Sequence, residues 1–183
     1  MIRTFIALPI PDDIKKALGD AICSLRSTNS SVRWVRPDNI HLTLKFLGGI
    51  NEDLVDPISM ELDKVAAHYG ELNLTLSGLG VFPGIHRPRV VWAGLEGDTG
   101  PLVKMASSVD AMCVKFGINP DKRPCSPHIT LGRLKTPSMV DLGIHLGSKN
   151  YRAKEVVFYR SELLPQGARY TILHTSNLGH KGG

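Results

Sequence analysis

The sequence predicts a single domain of mixed strands and helices in which the second half of the chain repeats the plan of the first. The composition is typical of a globular protein, since 42% of the 183 residues are hydrophobic and 21% are charged. Segments in which apolar side chains alternate are interleaved with segments of helical spacing in both halves. Residues 36–47 also align with residues 123–134 at six of twelve positions. No low-complexity linker interrupts the chain, so we expect one domain spanning 1–183.

In the first half, the patterns predict a strand, a helix, two strands and a second helix. Strands are expected over residues 2–8, 32–35 and 40–47, with Gly48 and Gly49 closing the third. Pro11 opens the first helix, and Gly70 ends the second, which is expected to start near Pro57. The apolar faces of the two helices are Ile14, Leu18, Ile22 and Leu25, and Leu54, Ile58, Leu62, Val65 and Tyr69.

In the second half, the same kinds of pattern recur. Strands are expected over 72–76, 89–95, 127–134, 156–163 and 170–175. Two glycines and two prolines predict a loop over 80–88, and residues 137–146 suggest a short helix. The third helix has the apolar face Leu102, Met105, Val109, Met112 and Phe116. We expect the tail, residues 179–183, to be disordered.

Charge and cysteine content narrow the class of protein. The net charge of +5 suits an anionic partner such as a nucleic acid, although many other proteins are equally basic. No run of 18 apolar residues is present, so no transmembrane helix is expected, and the first residues lack a signal-peptide cleavage region. Three cysteines, an odd number, argue against a disulfide framework. A cytoplasmic location is the expectation.

A His-x-Thr sequence lies within a predicted strand in each of the two aligned segments. His41 and Thr43 share one face of the first strand, because side chains two residues apart point the same way. His128 and Thr130 share one face of the second. Two related lobes that face each other would therefore bring two imidazoles and two hydroxyls together.

This set of side chains suits phosphodiester chemistry. One histidine can act as general base for the attacking oxygen and the other as general acid for the leaving oxygen, since both titrate near neutral pH. The hydroxyls can donate hydrogen bonds to the non-bridging phosphate oxygens. No metal or cofactor is required by this scheme. A single His-x-Thr is usually an ordinary half-buried pair, and it is the symmetric occurrence of two that favours catalysis.

The two motifs and their flanking residues resemble the two-histidine phosphoesterase superfamily, and within it the LigT-like RNA 2′,3′-cyclic phosphodiesterases. The resemblance covers nearly the whole chain. It rests on residues 41–48 and 127–133, with further similar stretches at 3–7, 80–83, 89–94 and 163–167. It implies an α+β fold of two lobes with pseudo-twofold symmetry. Each lobe would be an antiparallel sheet backed by helices, and the active site would lie in the cleft between them.

The resemblance also implies an activity and a role for each motif residue. The enzyme would hydrolyse an RNA-terminal 2′,3′-cyclic phosphate to a 2′-phosphate without a metal. His41 would be the general acid and His128 the general base, while Thr43 and Thr130 would hold the phosphate. Arg133 matches an arginine expected to contact phosphate or nucleotide.

Strict alternation along the strands raises a question about three further residues. Arg133 lies an odd number of residues after His128, so it would face away from the site unless Gly132 forms a bulge. By the same alternation, Phe46 is expected in the core. Lys45 would share the face of His41, as a solvated lysine or as an alternative phosphate neighbour.

The sequence leaves two other functions open. A reversible 2′-5′ RNA ligase would use the same site, and a non-catalytic module would bind RNA ends without turnover. In each case the expected partner is an RNA or oligonucleotide end, with no membrane, and the protein is expected to be a monomer.

Overall fold

The structure is a computed structural model that describes residues 1–179. This part of the chain contains nine strands and three α-helices. The first half contains β1 (Ile2–Pro9), α1 (Asp12–Arg26), β2 (Val32–Trp34), β3 (His41–Ile50), α2 (Val55–Ala67) and β4 (Leu72–Phe82). The second half contains β5 (Val90–Gly97), α3 (Thr99–Val114), β6 (His128–Leu134), β7 (Asn150–Ala153), β8 (Glu155–Leu164) and β9 (Gly167–Asn177).

The strands form two antiparallel sheets that share the same internal plan. The first sheet has the order β3-β1-β8-β9, and the second has the order β2-β6-β5-β4-β7. The motif strand β3 pairs with β1 as the motif strand β6 pairs with β5, and β2 is added outside β6. The α+β fold with two antiparallel sheets is therefore confirmed. Each sheet also draws strands from both halves of the chain.

The helices pack their apolar faces on the sheets as their spacing predicts. Ile14, Leu18, Ile22 and Leu25 of α1 are all buried, as are the corresponding residues of α2 and α3 at their centres. One large apolar cluster contains these faces together with the inward side chains of both sheets. Full burial of each such side chain stabilises the fold by about 1.5–3 kcal/mol. None of the helices among residues 1–179 is long and apolar enough to cross a bilayer.

The structure differs from the predicted elements at several places. β3 continues through Gly48 and Gly49, β7 is an additional strand, and residues 137–146 contain no helix. β4 continues to Phe82, so the predicted loop begins only at residue 83. Gly80 lies within this strand beneath the Trp92 ring, and only glycine fits there because a Cβ would clash with that ring. Of the tail predicted to be disordered, Gly179 bridges to Gly70, and the remainder lies outside the described residues.

Candidate active site

The structure brings the two His-x-Thr segments together in one cleft. β3 and β6 lie against each other, although they belong to different sheets. A cavity of about 210 Å³ lies between them, and its lining includes all five predicted site residues: His41, Thr43, His128, Thr130 and Arg133. Each histidine is the first residue of its strand and therefore lies where the chain enters the sheet.

A β-bulge follows the threonine in both motif strands. In β3, Thr43 pairs with Ala7 and Lys45 with Ile6, which leaves Leu44 as an extra residue. In β6, Thr130 pairs with Trp92 and Gly132 with Val91, which leaves Leu131 extra. An extra residue reverses which face the following side chains occupy. The two bulges stand at equivalent positions of the sequence repeat.

The bulge in β6 resolves the question about Arg133. Its pairing with Val90 returns Arg133 to the face that carries His128 and Thr130. The side chain is exposed and lines the cavity. Arg133 therefore lines the same cavity as the two histidines, and the residue that forms the bulge is Leu131, next to the expected Gly132.

The bulge in β3 overturns the expectations for Phe46 and Lys45. Phe46, predicted to lie in the core, is 55% exposed and lies on the face of His41 and Thr43. Lys45, predicted to share that face, is instead turned inward and is 2% exposed. Because alternation fails after the extra Leu44, the two side chains have exchanged the faces that a regular strand would give them.

The ammonium of Lys45 is held by two carboxylates and a carbonyl. Its Nζ lies 2.6 Å from Asp110 Oδ1 and 2.7 Å from Asp121 Oδ1, and it donates to the Asn119 carbonyl at 2.9 Å. The ion pairs outweigh the desolvation of the amine, so the pKa of Lys45 is raised. These contacts tie β3 to α3 and to the loop that leads into His128. Lys45 thus supports the site rather than contacting phosphate.

Both histidines are oriented by the same local hydrogen bond. His41 Nδ1 lies 2.7 Å from the Asn39 carbonyl oxygen, and His128 Nδ1 lies 2.8 Å from the Ser126 carbonyl oxygen. A carbonyl can only accept, so Nδ1 is the donor in each pair and carries a hydrogen. The proton that is gained or lost in catalysis is therefore on Nε2.

Aromatic rings surround the two imidazoles, and sequence reasoning did not single them out. His41 lies between Phe5, at a centroid distance of 4.8 Å, and Tyr170, at 5.3 Å. Phe82 meets His128 edge-on at 5.0 Å. Phe5 contacts His41 because β1 pairs with β3, and the sequence pattern does not reveal that pairing. Phe82 was missed because the sequence predicts a loop over residues 80–88.

The environment of His41 disfavours its charged form. Burial against these rings lowers the pKa of His41, and the positive charges of Arg133 and Lys15 lower it further. The hydrogen bond to the Asn39 carbonyl acts in the opposite direction. The balance of these effects lowers the pKa of His41 and so favours its neutral form.

Replacing Arg133 with glutamine should raise the pKa of His41, because it removes a nearby positive charge. A pH titration of the His41 imidazole by NMR measures this directly. Arg26→Gln is the matched control, since Arg26 is an exposed arginine at the end of α1 and lines none of the cavities that contain His41. An unchanged His41 pKa in Arg133→Gln would show that the guanidinium does not approach the imidazole.

The other histidines and the carboxylates among residues 1–179 do not form a second centre of this kind. Within residues 1–179, no group of three or more His, Cys, Asp or Glu side chains is placed to hold a metal ion. His174 Nε2 lies 2.8 Å from Asp63 Oδ1, which also accepts from Ser176. That contact joins α2 to β9.

The cavity of about 210 Å³ between β3 and β6 is termed the catalytic cavity. Two further cavities, of about 500 and 370 Å³, adjoin the catalytic cavity and share His41 with it.

Comparison with known families gives a match that covers most of the chain. Residues 8–92 and 96–170 match the model of the LigT-like phosphoesterases. The chain is 31% identical to an RNA 2′,3′-cyclic phosphodiesterase of Methanothermobacter thermautotrophicus, over 97% of this chain and 99% of that protein. It is 32% identical to the protein of the same name from Archaeoglobus fulgidus, over 94% and 98%.

Solved structures show the same similarity. A Thermus thermophilus protein is 30% identical and superposes with a TM-score of 0.85, over 99% of this chain and all of that chain. Escherichia coli LigT, crystallised with 3′-AMP, is 26% identical with a TM-score of 0.75, over 97% and 98%. Both similarities extend across the two sheets and the cleft between them.

Proposed function

The chain belongs to the LigT-like phosphoesterase family, and on that basis we propose that it is an RNA 2′,3′-cyclic phosphodiesterase that leaves a 2′-phosphate. The observation that carries this proposal is the cavity lined by both His-x-Thr segments, in which each imidazole has its Nδ1 bound to a backbone carbonyl. Such a pair supplies one proton acceptor and one proton donor at Nε2.

The proposed reaction gives these groups the roles that the family resemblance implies. His128 Nε2 removes a proton from water as its oxygen attacks phosphorus, on the side opposite the leaving 3′ oxygen. The bond from phosphorus to the 3′ oxygen breaks, and His41 Nε2 supplies the proton that this oxygen takes up. Thr43 and Thr130 donate to the non-bridging oxygens, and Arg133 balances the charge that accumulates there. Neither transfer calls for a cofactor.

The lowered pKa of His41 is compatible with its role as the acid. The two cations that lower it are countered when the anionic cyclic phosphate lies beside the imidazole. Substrate binding therefore favours the protonated form that catalysis needs.

The regiochemistry of hydrolysis tests the assignment. Adenosine 2′,3′-cyclic phosphate, incubated with the protein in excess chelator, should give 2′-AMP, because His41 protonates the 3′ oxygen. Phosphorus NMR, or resistance of the product to a 3′-specific phosphatase, identifies the isomer. A predominant 3′-phosphate would reverse the roles of the two histidines. Loss of activity that only a divalent ion restores would contradict the metal-independent scheme.

The same assay separates the two alternatives left open by the sequence. A ligase would join a 5′-hydroxyl oligonucleotide to the cyclic end, with that hydroxyl in place of water at His128. A binding module would retain the cyclic nucleotide unchanged. Hydrolysis in the absence of an acceptor strand supports the phosphodiesterase.

We further propose that the enzyme works as a monomer in the cytoplasm. Both histidines and both threonines belong to one chain, so the catalytic set needs no second copy. Cys23, Cys113 and Cys125 are all free thiols, which is typical of a reducing compartment.

A further inference from the structure

A cavity of about 370 Å³ adjoins the catalytic cavity and is strongly biased towards anions. It shares with the catalytic cavity His41, Thr43, Phe46, Thr130 and Arg133. Its own lining adds a second arginine, Arg3, and the described residues that line it include no aspartate or glutamate. Two guanidinium groups without a lining carboxylate make it an electrostatically unbalanced pocket.

The two arginines approach this cavity from different sheets. Arg3 lies on β1, opposite Gly49, on the same face as Phe5. Arg133 reaches the cavity from β6 because the bulge at Leu131 turns it towards the cleft. Burial raises the pKa of the Tyr170 hydroxyl, and the charges of Arg133 and Arg3 both act against that rise. Tyr170 also lines the cavity, so it lies within the influence of both guanidinium groups.

Neither arginine is neutralised within the part of the chain that the structure describes. The ion pairs among residues 1–179 include neither Arg3 nor Arg133. On β2, the residue directly opposite Arg133 is Arg33, also exposed. Like charges opposite each other in a ladder are unfavourable, and a bound anion relieves that cost. The Glu162 carboxylate of β8 is already engaged by two other arginines, Arg160 and Arg169.

We propose that Arg3 forms a second phosphate site, with Arg133 at its boundary with the catalytic cavity, and that this site binds the phosphate on the 5′ side of the terminal ribose. The proposal rests on the proposed function, which places a cyclic phosphate between His41 and His128. The 370 Å³ cavity shares five lining residues with the catalytic cavity, whereas the 500 Å³ cavity shares only His41, so the rest of the nucleotide is expected in the former. Guanidinium groups suit this ligand because their paired donors match two phosphate oxygens. The preferred substrate is then an RNA end, whose terminal ribose carries a 5′ phosphodiester, over a nucleoside 2′,3′-cyclic phosphate.

Two substrates that differ only in the 5′ group test this site. Adenosine 2′,3′-cyclic phosphate is compared with its 5′-phosphorylated form, and kcat/KM should be roughly tenfold higher for the second. Arg3→Gln should remove most of that gain and leave hydrolysis of the unphosphorylated substrate within about twofold, whereas Arg3→Lys should retain part of it. Arg26→Gln, the exposed control, should change neither value.

A binding measurement keeps the site testable apart from turnover. Adenosine 2′,5′-bisphosphate should bind roughly tenfold more tightly than 2′-AMP by calorimetry, and Arg3→Gln should abolish the difference. Equal affinities in the wild-type protein, or an equal loss for both ligands in Arg3→Gln, would overturn the second site. Failure to hydrolyse any cyclic substrate would instead overturn the proposed function, and calorimetry would still decide the site.

Discussion

The variants His41→Ala and His128→Ala are each expected to lower kcat for cyclic phosphate hydrolysis by at least about a hundredfold. Each removes one of the two proton transfers, and no other described side chain that lines the catalytic cavity is an imidazole. Both histidines lie at the cleft rather than in the core, so thermal unfolding should change little. Steady-state kinetics on adenosine 2′,3′-cyclic phosphate, together with a melting curve, measure both effects.

The pH dependence distinguishes the two histidines from each other. The wild-type rate should be bell-shaped, because one imidazole must be neutral and the other charged. Residual activity of His41→Ala should lack the fall at high pH, and that of His128→Ala should lack the fall at low pH. His68→Ala is the control, since His68 is exposed after α2 and lines none of the cavities that contain His41 or His128. Near-normal rates in either folded cleft variant would rule out the mechanism.

Lys45→Ala is expected to lower the free energy of unfolding by about 2–3 kcal/mol. The change leaves Asp110 and Asp121 without the cation that joins them, and it opens a space where a fully buried side chain stood. The effect falls below that of a fully buried ion pair because the two carboxylates are partly exposed. Denaturant unfolding, followed by tryptophan fluorescence, measures it.

Two further variants, one at an exposed lysine and one conservative replacement of Lys45, serve as controls for this prediction. Lys104→Ala removes an exposed lysine from α3 and should change stability by less than about 0.5 kcal/mol. Lys45→Arg keeps the charge and should recover part of the loss. If Lys45→Ala were as stable as Lys104→Ala, the Asp110–Lys45–Asp121 contacts would contribute nothing to the fold.

Periodicity was sufficient to identify the three α-helices, and the repeated His-x-Thr sequence identified the four motif residues. The predicted face of α1 is buried throughout and Ile58 and Leu62 are buried at the centre of α2, because one stripe of a helix must meet a sheet. His41, Thr43, His128 and Thr130 precede the bulges, so simple alternation places each pair on one face. The duplication then indicated that the two pairs belong to one site.

For the residues that follow the threonine in each motif strand, strict alternation predicts the wrong face of the strand. Leu44 and Leu131 are ordinary apolar residues, and nothing in either side chain marks it as an extra residue in the strand. The repeat did hold the needed information, since it aligns Phe46 with Arg133. Whenever two copies share a bulge, the face of one residue indicates the face of its counterpart. A cleft-facing Arg133 therefore also predicts a cleft-facing Phe46.

Strand partners were the other feature that local pattern could not supply. The β-branched and aromatic residues at the start of 156–163 predict a strand but do not indicate that β8 pairs with β1. The three-residue β2 likewise gives no sign that it extends the sheet of the other motif. Such pairings depend on contacts between distant segments, which a reading of short windows does not capture.

The way the first sheet is completed has a consequence for the order of folding. Thr4 of β1 pairs with Arg160 of β8, whereas β5 pairs with β4 and β6 at much shorter separations in sequence. The strands β2 and β7 join the second sheet at its two edges, away from the contact of Phe82 with His128. Pairings between distant segments carry the larger loop-closure entropy and form slowly. We therefore expect the surroundings of His128 to become native first. The surroundings of His41, which need Tyr170 from β9, become native last, so catalytic competence coincides with the final long-range pairing.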